Sequence, residues 1–258
     1  MTMRVSFVSI FPEMIQANLK YGVVGRAVNR GDLNIEIVDP RDHTNEKHRN
    51  VDDKPYGGGP GMVMMAEPLM RSVAAAKNAI PVDAPVILMS AQGAKFDHQR
   101  AFELSKMDAM ILVSGRYEGV DQRFIDKEVD LEISVGDFVL SGGELAALVI
   151  LDAVARLRTG ILGNSNSINV ESYVDGLLEF PHYTRPQELN LGDDEKTNNF
   201  KVVPQVLLSG DHARIARWRK QQTLFRTWQN RPDLLSGRKF SAEERELLLE
   251  FIDAGPTP

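Results

Sequence analysis

The chain has 258 residues, 43% of them hydrophobic, and a formal net charge of −6, enough apolar material for one or two folded domains. It has no cysteine, which excludes a disulfide scaffold, a thiolate metal site and a cysteine nucleophile. No apolar run reaches the ~18 residues of a membrane span. The start, Met1-Thr2-Met3-Arg4-Val5-Ser6-Phe7-Val8, lacks the features of a secretory signal, so the expected location is the cytoplasm.

Val5 to Ile10 reads as a strand, and Pro12-Glu13 opens a helix with its proline in the first turn, where a missing N–H costs little. Leu33 to Val38 is a second strand. Val51-Asp52-Asp53-Lys54-Pro55-Tyr56-Gly57-Gly58-Gly59-Pro60-Gly61-Met62 is a loop with little side-chain volume, able to lie against a planar surface or to adopt positive φ. The apolar run Met62 to Met65 behind it must be buried. Ala66 to Asn78 is helical. Pro85 to Ser90 and Ala109 to Ser114 are short apolar runs suited to strands buried on both faces, with helices near Asp97 to Lys106 and Gln122 to Lys127. An extended segment covers Leu131 to Leu140, and Ser141 with Glu144 has capping-box spacing ahead of a helix over Leu145 to Leu157. The expectation is an α/β domain with a largely parallel sheet over 1–162, a linker over 163–185 and a small all-helical domain over 186–258.

Common catalytic signatures are missing. There is no phosphate loop of the NTPase type, no Gly-x-Ser-x-Gly elbow, and the first strand ends in Ile10-Phe11-Pro12-Glu13 rather than a dinucleotide-binding glycine turn. The five histidines are scattered and none has metal-ligand spacing, so no metal site is expected. A hydrated Mg²⁺ on carboxylates would leave no signature to read.

Three small-residue loops each follow an apolar run: Ser90-Ala91-Gln92-Gly93, Ser114-Gly115-Arg116-Tyr117-Glu118-Gly119, and Val135-Gly136-Asp137-Phe138-Val139-Leu140-Ser141-Gly142-Gly143. In a parallel sheet such loops gather at one edge, where ligands bind. Glu118 and Asp137 suit ligand hydroxyls or a cationic ligand such as a sulfonium; equally, the glycines could serve only tight turns. Glu171 to Pro186 holds carboxylates, a histidine, an arginine and two tyrosines, as either a functional loop or a docking segment. Lys201 to Phe240 carries nine Lys/Arg against only Asp211 and Asp233, and the chain turns acidic from Ser241. That block is a polyanion footprint or a helix face paired with the acidic tail; charge alone leaves both open.

At these residues the sequence resembles the bacterial tRNA (guanine-N1)-methyltransferases, of the knotted SPOUT class. The resemblance rests on Val51 to Met62, Gly115-Arg116-Tyr117-Glu118-Gly119-Val120-Asp121, Gly136 to Leu145, Pro181-His182-Tyr183-Thr184-Arg185-Pro186, Val206 to His212 and Arg217-Trp218-Arg219, in order along the chain. It implies a deep trefoil knot in the α/β domain, a homodimer whose active sites use both chains, and transfer of a methyl group from S-adenosylmethionine to guanine 37 of tRNA. The donor would lie among Ser90, Gln92, Gly93, Gly115, Tyr117, Glu118, Gly119, Val135, Gly136, Asp137, Phe138, Val139, Leu140, Gly142 and Gly143. tRNA would meet Asp52, Gly58, Gly59, His182, Arg185, Arg217, Arg219 and Lys220, with Trp218 packed internally.

N1 of guanine is protonated at neutral pH, so the reaction needs a base for N1 and a cation or donor for the charge that develops toward O6. The resemblance carries the supporting arginine onto Arg156. The family's linker Asp-Ser-Phe stands here as Glu171-Ser172-Tyr173, which keeps the carboxylate on a stem longer by ~1.5 Å. Glu179 replaces a second aspartate, and Ala91 and Ala146 stand where proline is usual. Two other readings share parts of this pattern: a knotted RNA methyltransferase with another target, and a non-catalytic RNA-binding module lacking a complete donor site.

Overall fold

The computed structural model describes residues 2–80, 82–162, 171–191 and 200–254. The glycine- and asparagine-rich start of the expected linker and most of the polar stretch near Asn190 to Asn199 lie outside the described residues. The chain forms two compact units, Met1–Ser165 and Asn166–Pro258.

The first unit is built on strands β1 (Met3–Val8), β2 (Leu33–Val38), β5 (Val86–Lys95), β6 (Ala109–Ser114) and β7 (Leu131–Ser134). They form one parallel sheet in the order β2-β1-β6-β5-β7. The expected parallel sheet is present, and β6 at its centre is buried along its whole length. Alternation then sorts its side chains: Met110 and Leu112 join one apolar cluster, Ala109, Ile111 and Val113 the other. On the first face lie helices α1 (Pro12–Asn18), α2 (Gly22–Arg30), α4 (His98–Ser105) and α6 (Glu144–Arg156), whose Ile150, Leu151 and Val154 sit against Phe7 and Leu112. On the second lie α3 (Ala66–Ala79) and α5 (Gln122–Glu128), bringing Leu69, Val73 and Phe124. Burying a strand on both faces demands a continuous apolar run, which is why β6 was legible as a strand.

Two expectations need correction. Ser90-Ala91-Gln92-Gly93 is not a loop after a strand but part of β5, which runs on to Lys95 with a register shift against β7 between Met89 and Ala94. Gly93 permits this: a Cβ there would lie 2.4 Å from the backbone carbon of Glu132. The second concerns Ser141 and Glu144. The N-cap of α6 is Gly143, without a side-chain cap, and Glu144 is wholly buried. Its Oε1 accepts from Ser9 Oγ at 2.7 Å and its Oε2 from Arg116 Nε at 2.9 Å. The Ser-x-x-Glu spacing does close a capping box elsewhere, at Ser241 and Glu244.

The second unit contains α7 (Gln205–Leu208), α8 (His212–Asn230) and α9 (Ala242–Ala254). It is not all-helical over 186–258, because β8 (Glu188–Asn190) and β9 (Phe200–Val202) pair as an antiparallel ribbon. Both strands are three residues long and exposed, too short for the alternation of Phe200, Lys201 and Val202 to stand out. Leu177, Leu224 and Leu247 form its core with Leu235, Phe240 and Leu248. The segment from Glu171 is fastened to these helices. Leu178 N–H donates to Thr227 Oγ1 at 2.9 Å, and Arg238 reaches the Asp175 carbonyl at 2.7 Å, the Asp175 carboxylate at 3.0 Å and Glu244 at 2.9 Å.

Two stability outcomes follow. Glu144→Gln removes a buried charge while the Arg116 guanidinium stays in place, so urea unfolding of the first unit should show a loss of about 3 kcal/mol or more; an unchanged midpoint would mean that the pair contributes nothing. Burial pushes the Glu244 carboxyl upward, but the Ser241 N–H and the Arg238 guanidinium outweigh it and hold it below its ordinary value of 4.5. A depressed carboxylate contributes stability above that value and loses it as pH falls through the folded pKa. Glu244→Gln should therefore destabilise the second unit at pH 7, and thermal unfolding of variant and wild type should converge below pH 4.5.

Candidate active site

The carboxyl ends of β5, β6 and β7 open onto one cavity of about 340 Å³. Its wall includes every residue expected to hold the methyl donor except Gly93, which lies against the β7 backbone, and Asp137, which is exposed beside the cavity. Ala91 and Ala146, the two positions where proline is usual in the resembling family, also line it.

Glycine makes this geometry possible at Gly142 and Gly143. A Cβ on Gly143 would lie 2.8 Å from Ser114 Cα and 2.9 Å from Met89 Cβ, and one on Gly142 would lie 2.1 Å from Arg116 Nε. Without side chains, the third loop approaches the second closely enough for Gly143 N–H to donate to the Gly115 carbonyl at 2.9 Å. The loop from Val135 to Leu140 folds back through Phe138 N–H to the Gly136 carbonyl at 2.9 Å, and leaves Phe138, Val139 and Leu140 exposed.

Arg116 braces the second loop from behind. It pairs with Glu144, donates to the Ser141 carbonyl at 3.1 Å and lies 4.4 Å over the Phe11 ring. Tyr117 beside it has φ +60°, an uncommon conformation for a residue with a side chain. Burial, and after it the Asp52 carboxylate to which it is hydrogen-bonded, push the Tyr117 hydroxyl pKa up.

That contact brings in the glycine-rich segment. Strands β3 (Asp52–Asp53) and β4 (Val63–Met64) pair antiparallel, so residues 54–62 form the tip of a small hairpin, with Gly58 and Gly59 exposed. The hairpin docks on the second loop: Glu118 N–H donates to the Met62 carbonyl at 3.0 Å, and Met64 N–H to the Gly119 carbonyl at 2.9 Å. Of the apolar run behind the hairpin, expected to be buried, Met64 is fully so, while Met62, Val63 and Met65 are half-buried. A Cβ on Gly61 would meet the Glu118 side chain at 2.3 Å.

Sequence reasoning missed Arg116 as a brace and Glu132 and Gln122 as cavity residues. Glu132 carried a signal, an acid inside the buried run Leu131-Glu132-Ile133-Ser134. Arg116 had none, because its partner is 28 positions away.

Arg156 stands in the last turn of α6, ten residues beyond Ala146 on the cavity wall. At 1.5 Å per residue that is ~15 Å along the helix axis. Within one chain, then, Arg156 does not join this cavity.

In the second unit Glu171 is half-buried and its carbonyl accepts from Val174 N–H at 3.5 Å. His182 Nε2 lies 2.6 Å from Glu179 Oε1, and its ring sits 4.9 Å from that of Phe180. The basic helix α8 has two kinds of cation. Arg217 pairs with Glu250 at 2.8 Å and Glu246 at 3.5 Å, and Lys220 with Glu243 at 2.8 Å, so for these two the acidic tail is the partner. Arg219 instead lies 4.8 Å over the Phe180 ring. Trp218, expected to pack internally, is half-buried and lines a cavity with Tyr183 and Arg185. Among the described residues no three His, Asp or Glu side chains converge as a metal site.

Residues 3–237 match the family model described as tRNA (Guanine-1)-methyltransferase TrmD. Proteins named tRNA (guanine-N(1)-)-methyltransferase are similar along almost their whole length. That of Idiomarina loihiensis is 50% identical over 97% of this chain and 96% of its own. That of Proteus mirabilis is 51% identical over 96% of each chain, and that of Vibrio vulnificus 49% identical over 97% of each.

Proposed function

The chain belongs to the tRNA (guanine-1)-methyltransferase family, and on that premise we propose that it transfers the methyl group of S-adenosylmethionine to N1 of guanine 37 in tRNA. The observation that carries the donor assignment is the convergence of three glycine-containing segments on one cavity at the carboxyl edge of a parallel sheet. Its walls fit that ligand: glycines let backbone groups approach a flat adenine, Phe138, Val139 and Leu140 offer apolar contact, and Glu118 and Glu132 supply negative charge for a sulfonium.

When bound, S-adenosylmethionine supplies an electrophilic methyl carbon. The protein's task is to make guanine N1 a nucleophile and to hold it in line. Glu171 would accept the N1 proton, which frees the N1 lone pair for the methyl carbon that the bound donor would supply, with S-adenosylhomocysteine as the leaving group. The Arg156 guanidinium balances the charge that develops toward O6. The longer stem of Glu171 is accommodated by the segment that carries it.

The reading includes a homodimer, because Arg156 lies ~15 Å along α6 from the donor cavity of its own chain and must enter a partner's. Leu145 and Val149, one turn apart on α6, are both about half exposed and form an apolar face suited to a second copy. It also includes a deep trefoil knot around the donor loops, consistent with the backbone bond between Gly143 and Gly115. A cytoplasmic location follows from a tRNA substrate; among the described residues no helix is long and apolar enough to cross a membrane.

The test is labelled methyl transfer to an unmodified transcript with guanines 36 and 37, against a guanine 37→adenine control, with and without Mg²⁺. 1-Methylguanosine in the first transcript alone is the expected product; methylation of another nucleotide, or none, overturns the assignment. Glu171→Gln should lower kcat by about 10²- to 10⁴-fold, with donor affinity by calorimetry unchanged. Unchanged turnover in that variant would remove Glu171 as the base.

A further inference from the structure

The second unit holds a cavity of its own, about 940 Å³, between the Pro181–Pro186 segment and α8. Tyr183 and Trp218 both line it and pack edge against face, their ring centroids 6.4 Å apart and tilted by 53°, so together they offer the cavity one continuous aromatic wall. Arg185 and Arg219 also line it, Arg219 with its guanidinium over the Phe180 ring. Ile215 and Leu208 close part of the remaining wall with apolar surface. Aromatic faces and guanidinium planes are the two surfaces on which proteins stack bases splayed out of single-stranded RNA.

Charge points to the same place. Arg217 and Lys220 are neutralised by α9, whereas among the described residues Arg185 and Arg219 form no ion pair. Positive charge at the middle of α8 is thus left beside the aromatic cavity and cancelled on the face toward α9. The wall of this cavity contains no carboxylate and shares no residue with the donor cavity. His182 is the one titratable base on this wall, its Nε2 2.6 Å from Glu179 Oε1, but the cavity proposed for the methyl donor is elsewhere, and a site without a donor can grip but cannot methylate.

We propose that this cavity binds one unstacked nucleobase of the substrate tRNA, other than the guanine that is methylated, against the aromatic wall formed by Tyr183 and Trp218, with its phosphate against Arg185 and Arg219. The inference rests on the tRNA methyltransferase reading above. It makes the second unit a base-gripping module and not only a phosphate-binding surface.

The chain has two tryptophans, so Trp228→Phe leaves Trp218 as the sole indole reporter. That variant is titrated with unmodified tRNA while binding is followed separately by anisotropy of the labelled RNA. Transcripts with each unpaired nucleotide made abasic in turn are then compared. Trp218 emission should be quenched by intact tRNA. One abasic position other than guanine 37 should abolish the quench and weaken binding roughly tenfold. Tyr183→Ala should weaken tRNA binding by a similar factor and leave donor affinity, measured by calorimetry, unchanged. Emission that ignores a tRNA shown by anisotropy to bind overturns the proposal, as does a quench lost only when guanine 37 is abasic. Wild-type protein that fails to bind tRNA at all overturns the methyltransferase reading itself.

Discussion

A carboxylate with no exposure to water, Glu144, organises the ligand edge of the first unit. It sits in the first turn of α6, where the helix's unpaired N–H groups favour negative charge. A lone buried carboxylate would be expensive, so it needs partners, and the ones it has come from two other parts of the sheet. Ser9 reaches it from the end of β1 and Arg116 from the end of β6. Three elements distant in sequence are thereby held to one point. Arg116, once committed to Glu144, is in position to lie over Phe11 and to donate to the Ser141 carbonyl. The loops that build the cavity are positioned by a charge that does not itself line the cavity.

The glycine pattern follows from this brace. Gly142 passes so close to the Arg116 side chain that no Cβ fits, and Gly143 lies as close to the backbone of Ser114. These two glycines give the loop room to reach Gly115 and form a backbone bond there. Five glycines on the cavity wall leave main chain open there, and main chain recognises a ligand by hydrogen bonding and shape.

Much of the first unit was legible because its strands are buried on both faces, and only continuous apolar runs satisfy that. Ala109 to Ser114 needed no further context. Ser90 to Gly93 was misread because small polar residues usually mark a turn, whereas here they continue β5 past a bulge, and Gly93 is small so that β7 can approach. Ser141 and Glu144 had the right spacing for a cap, but a spacing cannot tell whether Arg116 will draw the carboxylate inward. The residues that line the cavity at the carboxyl edge were nearly all named in advance through long motifs. The distance of Arg156 from it was not, since motifs carry identity and order but no geometry. The ribbon of β8 and β9 escaped because three-residue strands give alternation too little length to be read, and their apolar side chains stay exposed.

The acidic net charge need not conflict with a polyanionic substrate, provided that cations are allotted by position. On α8 the allotment is visible. Arg217, Lys220 and Gln221 face α9 and bond to its glutamates, while Leu224 and Thr227 on the same side are buried. Exposed pairs of this kind add little stability each. Their larger effect is to cancel the positive field on the side of α8 that faces α9. Arg219 is spared because its guanidinium stacks on Phe180 and meets no acid. A helix that looks uniformly basic in sequence therefore presents one neutralised side and one cationic side, and the aromatic cavity opens beside the cationic one.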